Sequence, residues 1–220
     1  MNSYTHITYV LDRSGSMDNV RRDIKAGLKS YIDEQKKQEG KCTFSLVQFD
    51  DCYDKHYWFH DIQTVSSTVV FEPRGGTALF DAVGKAILET GKELKNMPEE
   101  LRPQKVLMII HTDGYENMSR EFSRTKIKEM IQHQEEKYNW KIAFVGTNID
   151  VMSEGSSMGM NVRSCLSYVN DSHGIDTAYA SISNATSSIR NMSTSAYVTT
   201  NDFFGNTTTA TTIPTTEETK

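Results

Sequence analysis

Asp12-Arg13-Ser14-Gly15-Ser16 places one carboxylate and two hydroxyls at alternate positions, where an apolar run beginning at Ile7 gives way to a helix pattern. Two further fragments share this character. Gly75-Gly76-Thr77 opens a later helix pattern, and Thr112-Asp113-Gly114 closes an apolar run over residues 106–110. Oxygen donors among small residues at strand ends suit a hard divalent cation, and magnesium takes near-octahedral oxygen at roughly 2.0–2.1 Å while keeping several waters. Ser14, Ser16 and Thr77 can supply hydroxyls directly, while Asp12 and Asp113 can coordinate directly or hold waters. So few anionic donors would leave the ion electrophilic. Gly15 lets the first loop tighten, and Gly75-Gly76 lets the backbone come close to the ion.

Such a site needs strands that end together, and the chain alternates strand with helix. Residues 7–11 form a short β-branched run that reads as a buried strand. Val20, Ile24, Leu28 and Tyr31-Ile32 recur at helical spacing until Gly40 stops them. Residues 42–49 alternate as a strand, and residues 53–62, after the polar Asp50-Asp51 turn, read as its antiparallel partner. Leu79, Val83, Ile87 and Leu94 make one helical stripe over residues 78–95. Residues 105–111 are the most apolar strand and so belong at the centre of a parallel sheet. An amphipathic helix over 124–138, a strand over 140–146, a short helix over 151–158, an edge strand over 165–169 and a helix over 175–192 follow. This order predicts a doubly wound α/β domain: a mostly parallel sheet with one antiparallel edge strand and helices on both faces. In that architecture ligands sit beyond the carboxyl ends of the strands, near the topological switch point. The domain is expected over residues 1–194. Residues 195–220 are Thr-rich with few apolar side chains, which predicts a mostly disordered tail.

At 220 residues, 37% hydrophobic and 24% charged, the chain suits one well-cored globular domain. A net charge of −5 argues against an electrostatic grip on nucleic acid or anionic lipid. No segment approaches the roughly 20 consecutive apolar residues of a membrane span. The start of the chain lacks a basic-then-apolar leader, and Cys42, Cys52 and Cys165 are a sparse, odd set that fits a reducing compartment. A cytoplasmic location is therefore expected.

The set Asp12, Ser14, Ser16, Thr77 and Asp113 resembles the metal-ion-dependent adhesion site (MIDAS) of von Willebrand factor type A domains. All five positions are filled in the family's order, and the resemblance covers roughly residues 4–192. Pro73-Arg74-Gly75-Gly76-Thr77-Ala78-Leu79-Phe80-Asp81-Ala82 is similar to small stand-alone bacterial and phage members. The resemblance implies Mg²⁺ or Mn²⁺ and a non-enzymatic role, with the metal's open position taken by an acidic residue of a protein partner. Arg13, Asp18, Arg74, Tyr115, Glu116 and Asn117 would rim the metal and select that partner. Glu217 and Glu218 in the tail offer a route to self-association through a neighbour's metal, and Asp202-Phe203-Phe204-Gly205 could be a docking peptide.

Other readings compete. The alternative role is a structural, virion or assembly component whose metal mainly stabilises the fold. A metal-dependent phosphohydrolase with Asp12 as nucleophile is less well supported, because Ser14 stands where a second acid is wanted and Lys105 precedes its strand. Zinc at Cys42, Cys52, His56 and His60 fails on distance, since His56 and His60 lie about 13 Å apart on a strand. His111 is expected to pack beside the site.

Overall fold

The structure, a computed structural model, describes residues 4–205. Six strands form one sheet: β1 (Thr5–Asp12), β2 (Cys42–Phe49), β3 (Tyr53–Asp61), β4 (Lys105–Thr112), β5 (Lys141–Gly146) and β6 (Cys165–Ser167). Their spatial order is β3-β2-β1-β4-β5-β6, parallel throughout except for β3, which runs antiparallel to β2 at one edge. The chain steps outward from β1 to β3 and then returns to β4 on the other side of β1. The switch point therefore lies between β1 and β4. In register Leu11 faces His111, so Asp12 and Thr112 leave the sheet side by side.

Every residue of β1, β2, β4 and β5 is buried, as expected when helices cover both faces. On one face α1 (Arg21–Lys37) and α5 (Ser172–Asn191) pack Ile24, Leu28, Ile175 and Ile182 against Ile7, Tyr9 and Leu11. On the other, α2 (Leu79–Asn96), α3 (Arg124–Tyr138) and the short α4 (Val151–Ser157) pack Leu79, Val83, Ile127 and Val151 against Val10, Met108 and Ile110. No helix of the described residues is long and apolar enough to cross a membrane.

A 3-10 segment, Gly15–Val20, joins β1 to α1, and Ser14 makes no side-chain cap, its hydroxyl lying 3.1 Å from Ser16 Oγ. One expectation needs correction. The disorder expected from residue 195 does not extend through Gly205. There α6 (Thr194–Thr199) and the residues after it form a strap across the amino ends of the strands. Tyr197 is buried, and its hydroxyl accepts from Val106 N (3.1 Å) and donates to Val106 O (3.2 Å). Lys141 Nζ donates to Thr200 O, Phe203 N to Ser164 Oγ at 3.0 Å, and Phe204 N to Arg163 O at 3.2 Å. Three buried aromatics offset the ordering entropy that the polar composition alone could not. Ordered structure thus continues past residue 194, with Phe203 and Phe204 buried against their own chain. Residues 206–220, with Glu217 and Glu218, lie outside the described residues.

Candidate metal centre

The five oxygen-bearing residues converge at the carboxyl ends of β1 and β4. Asp12 is fully buried, and its carboxylate accepts from Ser14 N and Thr112 Oγ1, both at 2.6 Å. Ser14 Oγ lies 3.1 Å from Ser16 Oγ, which in turn donates to Asp113 Oδ1 at 2.6 Å. Gly114 brings in the fifth: a β-carbon there would stand 3.6 Å from Thr77 Oγ1 and 4.0 Å from Ser16 Oγ. Ser14, Thr77 and Asp113 are almost wholly buried, whereas Ser16 is exposed, so the site opens on its side.

Glycines allow this approach. Gly75 sits at φ +64°, a left-handed conformation that a side chain would strain. Its carbonyl receives Gly15 N at 3.2 Å, joining the two loops. A β-carbon on Gly76 would come within 2.9 Å of Asn117 Oδ1.

Burial dominates the electrostatics. Desolvation pushes Asp12 up to about 7 despite its hydrogen bonds, and raises Asp113 as well. Asp113 Oδ2 is buried and accepts no hydrogen bond. A buried acceptor without a partner is destabilising, and here it stands in a set made only of oxygens. That donor chemistry fits a hard cation such as Mg²⁺ or Mn²⁺.

The expected rim divides. Asp18, Arg74 and Tyr115 are exposed, and the Tyr115 hydroxyl accepts from Asp150 N at 3.1 Å. Arg13 is a correction, since it is buried and turned inward. Its Nε donates to Asp50 Oδ2 at 2.9 Å and its fork reaches Asp54. Arg74 Nε reaches the same Asp50 oxygen at 2.9 Å. Burial would raise Asp50, but hydrogen bonds from Arg74, Cys52 N and Arg13 outweigh it and hold the carboxyl below its ordinary value.

Glu116 and Asn117 face their own chain. Glu116 accepts from Phe80 N, Met118 N, Ser119 N and Ser119 Oγ, so its carboxylate is saturated. Asn117 Oδ1 accepts from Thr77 N at 2.9 Å, and Asn117 N donates to Thr77 O at 3.0 Å. Asp81 completes the staple by accepting from Arg120 N, Glu121 N and Phe122 N, each at 2.9 Å. These bonds fix where Thr77 stands.

Sequence reasoning missed Asp81 and Tyr168. Both aspartates at the site act on the Tyr168 phenol, which burial first of all raises, and its hydroxyl lies 2.8 Å from His111 Nε2. His111 is buried between Tyr168 and Tyr9, whose hydroxyl lies 3.0 Å from Nδ1. It packs beside the site as expected. The zinc reading gains nothing: the one cluster of metal-binding type found among the described residues is Asp50, Asp51 and Cys52, with Asp50 already held by two arginines.

A doubly wound domain with this oxygen set at its switch point defines a class, and residues 6–181 match the family model of the von Willebrand factor type A domain. The chain belongs to that family. Solved structures share the fold. Proximal thread matrix protein 1 from the mussel byssus has a TM-score of 0.62 and 19% identity over 84% of this chain and 46% of that one, and has also been solved with a zinc-occupied MIDAS motif. The von Willebrand domain of the type V pili tip protein Mfa5 from Porphyromonas gingivalis gives 0.64 and 10%, over 88% of this chain and 98% of that one. The pilus adhesin SpaC from Lactobacillus rhamnosus GG gives 0.65 and 10%, over 84% and 30%. The chain thus spans under half of the mussel protein's length. No curated protein matches it by sequence.

Proposed function

We propose that this chain is a protein-interaction module in which Asp12, Ser14, Ser16, Thr77 and Asp113 hold Mg²⁺ or Mn²⁺. The observation that carries the reading is the orphaned Oδ2 of Asp113, buried beside three hydroxyls and a second carboxylate. When bound, the cation supplies an electrophilic centre that an acidic side chain of a partner protein completes. Thr112 and Ser14 N orient Asp12, and Asn117 positions Thr77. A pilus adhesin and a pili tip protein among the structural neighbours agree with an interaction role.

Two features weigh against hydrolysis. Both oxygens of Asp12 are engaged, so it is poorly placed as a nucleophile. Lys105, the nearest candidate for a phosphate clamp, donates instead to Ile189 O, Arg190 O and Met192 O at the opposite end of the sheet. Cys42, Cys52 and Cys165 are all free thiols, which supports a reducing, cytoplasmic setting.

Titration calorimetry with Mg²⁺ and Mn²⁺ tests the metal: the wild type should bind one equivalent and Asp12→Ala none. A pull-down from host lysate with Mg²⁺ or EDTA then tests the interaction. Metal binding without any metal-sensitive partner would favour a structural component.

A further inference from the structure

The pole opposite the metal centre carries a groove that none of the described residues fills. It lies between the C-terminal halves of α2 and α3, with a volume of about 520 Å³ and a floor of Ile87, Val106 and Trp140. Its cause is local. At Gly84 the Phe122 ring occupies the side-chain position, 2.7 Å from where a β-carbon would sit. Gly91 lies about two turns further along the same helix face, and no atom stands within 4 Å of the corresponding point. A glycine inside a helix is unfavourable for the helix itself, and here it gains no packing within the monomer.

The surroundings are sorted by charge. Lys95, Arg102 and His133 line the groove and no carboxylate does, in a chain whose net charge is −5. Next to it, outside its lining, the 3-10 turn Glu99–Leu101 presents two acids and a leucine that is 58% exposed. Leu88 and Tyr138, on the groove walls, are also more than half exposed. Lys95, Glu99 and Glu100 form no ion pair among the described residues. One face therefore carries an apolar groove with a basic rim beside an apolar knob with an acidic flank. Such a surface is complementary to itself across a twofold axis, the requirement for an isologous contact.

We propose that a second copy of this chain docks here. Leu101 of each copy enters the groove of the other beside Gly91, and Glu99 and Glu100 meet Lys95 and Arg102. The contact uses the amino-end pole of the sheet, so it is independent of the metal reading and leaves both metal centres facing outward.

Sedimentation velocity on the full chain, from low micromolar to about 100 μM, should show a concentration-dependent dimer equally in Mg²⁺ and in EDTA. Lys95→Glu and Glu100→Lys should each weaken it by about tenfold or more. Mixing the two variants should restore it, because one cross-copy pair is re-formed with its signs exchanged and the other is the native pair. A β-carbon at Gly91 meets no neighbour within 4 Å, so Gly91→Phe should abolish the dimer while leaving the melting temperature unchanged or higher. A monomer throughout the range would overturn the proposal, as would a dimer indifferent to Gly91→Phe and to the charge reversals. A dimer that disappears in EDTA would place the contact at the metal centre and overturn it too.

Discussion

The two poles of the sheet handle buried polar groups in opposite ways. At the amino ends, cationic side chains end the helices. Lys105 Nζ donates to Ile189 O, Arg190 O and Met192 O at 2.6–3.0 Å, and Arg190 donates to Gln35 O at 2.6 Å. The last carbonyls of a helix have no internal partner, and a cation there satisfies both the hydrogen bond and the dipole. At the carboxyl ends the balance reverses: carboxylates organise loop amides, and Asp113 Oδ2 is left with no donor. The first pole is closed within the chain. The second leaves a buried acceptor without a donor, and on the proposed reading this separates groups that hold the fold from groups that hold a cation.

If that separation is real, substitutions at the two poles should fail differently. Lys105→Met keeps the buried stem and removes the donor, leaving three carbonyls unsatisfied. Stability should fall by about 3–5 kcal/mol, read by urea unfolding, while metal affinity per folded molecule stays unchanged. Asp113→Asn should do the reverse. It removes a buried charge, so the metal-free protein should unfold within about 1 kcal/mol of the wild type, yet Mn²⁺ affinity should drop by about 100-fold or more. Equal loss of stability in both variants would erase the distinction.

The sequence made the carboxyl-end pole far more legible than the other. Asp12, Ser14, Ser16, Thr77 and Asp113 stand out because each follows or opens a strongly patterned element, and residues 42–49 and 124–138 match β2 and α3 to the residue. Hydrophobic period and glycine stops are local signals, and they survive without a structure. What stayed hidden depends on distant partners. The strap was unreadable because Tyr197 finds Val106 91 positions away in a polar stretch. Arg13 looked like a rim residue because nothing near it in sequence showed that Asp50 and Asp54 would draw it inward.

Acid should probe one buried histidine of the closed pole, isolated by comparison with its substitution. His6 is fully buried between Thr43 Oγ1 (2.9 Å) and Thr8 Oγ1 (3.0 Å), stacked on Phe59, and burial pushes it down to about 3. The unfolded chain takes up a proton near pH 6.5 while the folded one does not, so this contribution is complete above pH 6.5 and shrinks as pH falls toward 3. Between pH 7.5 and 5 the loss should be about 2 kcal/mol. Unfolding curves for the wild type and His6→Gln should converge by that amount on acidification, and parallel curves would refute the assignment.

The smallest effect is the most informative about the open pole, because it leaves every proposed metal-donor atom in place. Asn117 holds Thr77 at both its amide and its carbonyl, yet the backbone half of that clamp survives any substitution. Asn117→Ala therefore removes one hydrogen bond to Thr77 N, which should lower stability by about 1 kcal/mol. If Thr77 is only a loop residue, nothing further follows. If its hydroxyl is a donor to the cation, the loosened loop should also cost about tenfold in Mn²⁺ affinity, the scale on which groups behind a metal's direct ligands act. Asn117→Asp keeps an acceptor for Thr77 N and should recover the affinity. Calorimetric titration of the three proteins decides the matter: a stability loss in Asn117→Ala with wild-type metal affinity would remove Thr77 from the site.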